Sequence, residues 1–74
     1  MFGFNKPGLS PETAIKVQNV GEEYEYIDAH FDDYRMSYQR LETIDGKNYD
    51  VLYLRETFGS KEIKVYFDVE QLFS

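Results

Sequence analysis

Two hydrophobic periods divide this chain. Between residues 20 and 31, Val20, Tyr24, Ile27 and Phe31 recur at spacings of four, three and four, which is the apolar stripe of an amphipathic helix. From residue 34 the period becomes two. Tyr34, Met36 and Tyr38 alternate with Arg35, Ser37 and Gln39, as the residues of a half-buried strand do. Leu41 and Ile44 fall out of that series, and the slip predicts a bulge or strong bend near Gln39–Arg40. Asp45-Gly46 is a strong two-residue hairpin signal. Beyond it, residues 49–56 include Val51, Leu52, Tyr53 and Leu54 in succession. A strand apolar on both faces belongs in the middle of a sheet. Phe58-Gly59-Ser60 predicts a second turn, and residues 62–68 a third strand with Ile63, Val65 and Phe67 on one face.

The helix carries its own start signal. Asn19 and Glu22 have the spacing of a capping box, in which each side chain satisfies an orphan backbone N–H. Glu22 and Glu23 also lie in the first turn, where the positive end of the helix dipole favours acids. Glu25, Asp28 and Asp32 fall mostly off the apolar stripe, so the outer side of the helix is expected to be acidic. Residues 1–12 read as an irregular arm, broken by Gly3, Asn5, Pro7, Gly8, Ser10 and Pro11. Over residues 11–18 two readings stand. Ser10 before Pro11 starts a helical turn, whereas the alternation of Ile15 and Val17 favours a short strand or irregular segment, the preferred reading. Val69, Leu72 and Phe73 close the chain in a turn over residues 69–74. The expected fold is therefore a single α+β domain over residues 1–74, with one main helix at 20–31 packed on a three-stranded antiparallel β-meander at 34–68.

Charge adds asymmetry to that frame. Residues 1–34 carry seven acids against two lysines, and residues 35–74 seven acids against six bases. The excess sits in Glu22, Glu23, Glu25, Asp28, Asp32 and Asp33, where no Lys or Arg intervenes. Such a field steers basic partners and repels nucleic acid and anionic membrane. Aromatic residues make up 18% of the chain, seven Tyr and six Phe. They exceed what so small a core needs, so some tyrosines are expected on a contact face. No cysteine is present, which removes disulfides and thiolate chemistry. No apolar run approaches a membrane span. A cytoplasmic setting is expected, and the initial Met1 suggests a complete small gene product.

Candidate chemistry is thin. His30 is the only histidine, near Asp28, Asp32 and Asp33. A metal site needs three or four converging ligands, and a solvated helix end explains these residues without one. Fourteen acids offer carboxylate pairs, but none is marked out for acid–base work. The four serines lack an elbow motif, and the glycines lack a phosphate-cradling spacing. Neither a catalytic nor a cofactor-binding residue is assigned. Arg35, Arg40, Arg55, Lys61 and Lys64 alternate with aromatics along the strands, and their balance with acids favours a mixed surface over an RNA platform.

The residues Gly46-Lys47-x-Tyr49-Asp50-Val51, then Tyr66-Phe67-Asp68-Val69 and Leu72-Phe73, resemble a pattern in small bacterial α+β proteins of uncharacterised function. The resemblance extends back over residues 23–31, covers about two thirds of the chain, and implies a fold but no activity. Its positions also have structural readings, with Gly46 in a turn, Tyr49 and Val51 packed, and Asp68 capping the closing turn. The functional expectation is a non-enzymatic protein-interaction module, with Glu22, Glu23, Glu25, Asp28, Tyr26, Tyr38 and Tyr53 as partner contacts. Its partner is expected to be a protein with a basic surface, or a second copy paired through an edge strand. An acidic nucleic-acid mimic is the rival reading. Metal or small-molecule binding near His30 is the third.

Overall fold

The computed structural model describes residues 7–70, so residues 1–6 of the arm and 71–74 of the closing turn lie outside the described residues. The order is a 3-10 turn at Pro11–Thr13, strand β1 at Ile15–Lys16, helix α1 at Val20–His30, then β2 at Tyr34–Ile44, β3 at Lys47–Glu56 and β4 at Glu62–Asp68. The strands form one sheet in the order β1-β4-β3-β2.

The fold is α+β as expected, but the sheet is not a three-stranded antiparallel meander. It has four strands and is mixed, because β1 runs parallel to β4, with Ile15 beside Phe67 and Lys16 beside Asp68. Two residues are too short to show a period, and their pairing partner lies some fifty positions on. Residues 8–17 act as a strap along the outer edge of β4. The Tyr66 N–H donates to the Gly8 carbonyl at 2.6 Å and the Val17 N–H to the Asp68 carbonyl at 3.4 Å. A helical turn and a strand thus both occur between residues 11 and 18.

Local signals placed α1 correctly, but only the second half of its expected apolar stripe is covered by the sheet. The Glu22 N–H donates to Asn19 Oδ1 at 3.0 Å, and Glu22 Oε1 accepts from the Gln18 N–H at 2.8 Å, one residue earlier than the expected box. The buried residues of α1 are Ile27 and Glu23, and Phe31 caps it, also buried. Val20 and Tyr24 are substantially exposed. The anchors are Ile27 and Phe31, which join Leu52, Leu54, Val65, Phe67, Val17 and Val69 in the core. Each such side chain contributes roughly 1.5–3 kcal/mol on burial. With that pair facing the sheet, the residue one turn earlier is Glu23.

The hairpin turn has Asp45 at φ 52° and Gly46 at φ 79°, both left-handed as a type I′ turn requires. The bulge falls between Met36 and Tyr38 rather than at Gln39–Arg40, with Ser37 as the extra residue. β3 is central, and Val51, Leu52 and Leu54 are buried. The Asp68 side chain accepts the Glu70 N–H at 3.1 Å and pairs with Lys47 Nζ at 2.8 Å. Burial pushes the Asp68 carboxyl up, but Lys47 and the Glu70 N–H outweigh it and hold the group below its ordinary value.

Gly8 holds the strap through a backbone only glycine adopts easily. Its φ is +96°, and a Cβ there would lie 3.2 Å from Ile15 Cγ1 and Val65 Cγ1. Gly8→Ala is expected to destabilise the protein by about 1–3 kcal/mol, read as a lower urea midpoint. An unchanged midpoint would show that the strap does not depend on that conformation.

Candidate functional site

Strand pairing sorts the side chains onto two faces, since cross-strand partners point the same way. One face carries Gln39, Asp50, Leu52, Leu54, Ile63, Val65 and Phe67 and lies under α1. The open face is built from Arg35, Tyr38, Arg40, Glu42 and Ile44 on β2, and from Lys47, Tyr49, Val51, Tyr53 and Arg55 on β3. Glu62, Lys64, Tyr66 and Asp68 on β4, with Lys16 on β1, complete it. It therefore holds six of the chain's eight bases against three acids, within a chain of net charge −6.

Each of those acids is matched. Glu42 lies 3.7 Å from Arg40, Glu62 2.8 Å from Arg55 and Asp68 2.8 Å from Lys47. Among the described residues, Arg35 and Lys64 have no ion-pair partner, while Lys16 lies near enough to Asp68 to help lower its carboxyl. Arg35 stands directly across from Arg55, and Tyr53 is in register with both Tyr38 and Lys64. At that corner the Tyr38 and Tyr53 rings stack at 4.2 Å, 8° from parallel, and Lys64 Nζ sits 5.3 Å from the Tyr53 ring centre. A shallow hollow of about 330 Å³ adjoins them, lined by Ser37, Tyr38, Tyr53, Leu54, Glu62, Ile63 and Lys64. The Tyr53 hydroxyl donates to Glu42 Oε2 at 2.6 Å. That bond, with desolvation behind it, pushes the hydroxyl up to about 12.

The residues expected to form one contact surface lie in four places. Glu22, Glu25 and Asp28 follow each other at intervals of three down the outer side of α1. Tyr38 and Tyr53 lie on the opposite side of the sheet, so acids and tyrosines do not form a joint site. Tyr26 packs inward, its ring 4.3 Å from that of His30 and edge-on to Phe67 at 5.9 Å, while its hydroxyl donates to the Pro7 carbonyl at 3.3 Å. Among the described residues, no group of three or more His, Cys, Asp or Glu side chains is arranged to hold a metal ion.

Glu23 is fully buried and is not part of the acidic surface. As a carboxylate it has no hydrogen-bond partner for either oxygen. Protonated, it can donate to Asp50 on β3, which also accepts from Gln39 Nε2, whose own carbonyl accepts from the Tyr24 hydroxyl at 2.8 Å. Desolvation first, then the Asp50 carboxylate, pushes Glu23 up to about 8. A sequence signal for this was weak, because Glu23 in a first helical turn looks like a dipole-stabilising surface acid.

No protein-family model matches the chain, and neither the curated proteins nor the solved structures contain a match to it.

Two titrations check this chemistry. Between about 4.5, the ordinary Glu value, and 8, folded Glu23 holds a proton that the unfolded chain has lost. Stability therefore falls as pH rises across that window and levels off above it. Glu23→Gln is expected to flatten the slope and to stabilise the protein at pH 8 by about 1–3 kcal/mol, read from urea melts at pH 4.5 and 8. A slope that survives the substitution would mean another group carries it. In alkaline ultraviolet titration, one tyrosine is expected to ionise near 12 and to return towards the ordinary value in Glu42→Gln. An unaltered curve would show that the hydroxyl does not depend on Glu42.

Proposed function

We propose that this chain is a protein-interaction module without catalysis of its own, and that its contact surface is the Tyr38–Tyr53 corner of the open sheet face. The observation carrying the reading is the charge left over there. Arg35 and Lys64, which have no ion-pair partner among the described residues, stand beside a stacked tyrosine pair and an open hollow. Tyr and Arg are the residues that interface centres favour. The partner that suits this corner is a short acidic segment with apolar side chains, its carboxylates on Arg35 and Lys64 and its apolar groups in the hollow. The acidic outer side of α1 keeps the domain soluble and offers a separate surface to basic partners.

Two considerations weigh against the nucleic-acid readings. The acids outside α1 are dispersed, several of them paired with bases, which is unlike a regular double row of phosphate mimics. A net charge of −6 opposes the approach of a long polyphosphate more than that of a short peptide. The reading takes the cytoplasm as its setting, with which a cysteine-free chain agrees.

Titration of isotope-labelled protein with a short Glu/Leu peptide, and separately with a single-stranded oligonucleotide, tests the assignment by amide shifts. The expected result is peptide-induced shifts at residues 35, 38, 53, 55 and 64 that disappear in Arg35→Glu/Lys64→Glu. Absence of such shifts at millimolar peptide, or a tighter response to the oligonucleotide, would overturn it.

A further inference from the structure

Among the described residues, β2 is the long free edge of the sheet. It runs eleven residues, Tyr34–Ile44, at the end of the strand order. Among the described residues, the backbone hydrogen bond on its outer side is at its first residue, where the Tyr34 N–H donates to the Phe31 carbonyl at 3.0 Å, and none on that side is made from residues 35–44. The opposite edge is different, since β1 is only two residues long and the strap at Gly8 meets β4 beside it. An unpaired edge of this length is a template for another strand.

The side chains along β2 suit one kind of strand in particular. Met36 is 43% exposed and Leu41 53%, both on the helix side, while Tyr38 is 50% exposed on the open side. Tyr24 of α1 is also left partly uncovered, and its hydroxyl bonds to Gln39 of β2, which places that ring along the same edge. We infer that β2 is a dimerisation edge: two copies pair β2 against β2, antiparallel, with Gln39 on the two-fold axis, to make one eight-stranded sheet. The inference deepens the interaction-module reading, on which it rests, by naming a second copy of this chain as one partner.

The register follows from the bulge and from charge. With Ser37 as the extra residue, the helix-side positions of β2 are Tyr34, Met36, Gln39, Leu41 and Thr43, and the open-side positions are Arg35, Tyr38, Arg40, Glu42 and Ile44. Centring the pair on Gln39 sets Met36 opposite Leu41 of the second copy, Arg35 opposite its Glu42, Tyr38 opposite its Arg40 and Tyr34 opposite its Thr43. Met36–Leu41 is then apolar with apolar, Arg35–Glu42 cation with anion and Tyr38–Arg40 ring with cation, while Gln39–Gln39 and Tyr34–Thr43 bring no charges together. The smallest slide that keeps the faces in phase sets Arg40 against Arg40, or Arg35 against Arg40, depending on direction. One step beyond the first of these leaves only residues 38–44 paired. Charges on an edge strand ordinarily deter pairing. Here they select one register.

The two-fold runs perpendicular to the sheet, so both helices lie on one face and both Tyr38–Tyr53 corners on the other. Tyr38 beside Arg40 of the second copy then joins the two corners into one surface.

The test uses the absence of cysteine, which leaves a clean background for introduced thiols. Directly opposed strand positions bring Cβ atoms to about 4.5–5.5 Å, near enough for a disulfide with small backbone movement. Met36→Cys and Leu41→Cys, mixed and mildly oxidised, are expected to give several-fold more covalent dimer than either alone. Sedimentation of the wild type is expected to show twice the 8.8 kDa chain mass, and Leu41→Lys, on an exposed position, to return it to monomer. A monomer at every concentration up to millimolar would overturn the inference. So would a dimer that Leu41→Lys leaves intact, or one whose mixed thiols do not join. Repeating the peptide titration on Leu41→Lys separates the two claims. Shifts that persist there with no dimer in the wild type would remove the dimer alone, and a dimer without peptide shifts would remove the sheet-corner reading alone.

Discussion

Each step along a β-strand turns the side chain to the opposite face, and at Ser37 that step is broken once. Without the extra residue, Arg35 and Arg40 would point to opposite sides of β2. With it, Arg35, Tyr38 and Arg40 all join the open face, and Gln39 and Leu41 turn towards α1. The concentration of basic residues on one face, the Tyr38–Tyr53 stack and the polar contacts of Gln39 with Tyr24 and Asp50 all follow from that single insertion. Bulges commonly re-aim side chains in this way, and here the re-aimed set includes the residues of most chemical interest.

The helix imposes the second constraint. Ile27 and Phe31 secure it against Leu52, Leu54, Val65 and Phe67. Their direction fixes that of every other helical residue, because positions four apart share a side. Glu23 is carried inward to face Asp50, while Tyr24 is carried towards β2, where its hydroxyl meets Gln39. A buried acid opposite another acid costs stability unless one of them keeps its proton. The displacement of Glu23 to about 8 is that compromise. The apolar anchoring of α1 outweighs the polar mismatch beneath its first turn.

Opposite charges therefore occupy opposite sides of a small domain. The outer side of α1 carries Glu22, Glu25 and Asp28, and the open sheet face carries Arg35, Arg55, Lys64 and their neighbours. An overall charge of −6 conceals this division. The mixed composition of residues 35–74 reads as neutral balance only while the faces are averaged together.

Local chemistry was legible in the sequence because it depends on residues close in the chain. The span of α1 and its Asn19 cap, the Asp45-Gly46 turn, the central place of β3 and the Asp68 cap each rest on residues a few positions apart. Tertiary structure alone decided the rest. β1 exists because β4 offers it an edge some fifty residues away. Which part of the α1 stripe is covered was decided by where the sheet lies, which buries Ile27 and Phe31 in the last turns and leaves Val20 and Tyr24 in the first turns exposed. The bulge could be sensed as a slip in period but not located, since moving it by two residues leaves a similar sequence pattern. Tyr38 and Tyr53 were legible as candidates, but their separation from the acidic helix was not, because a face of a sheet is a property of pairing and no single strand contains it.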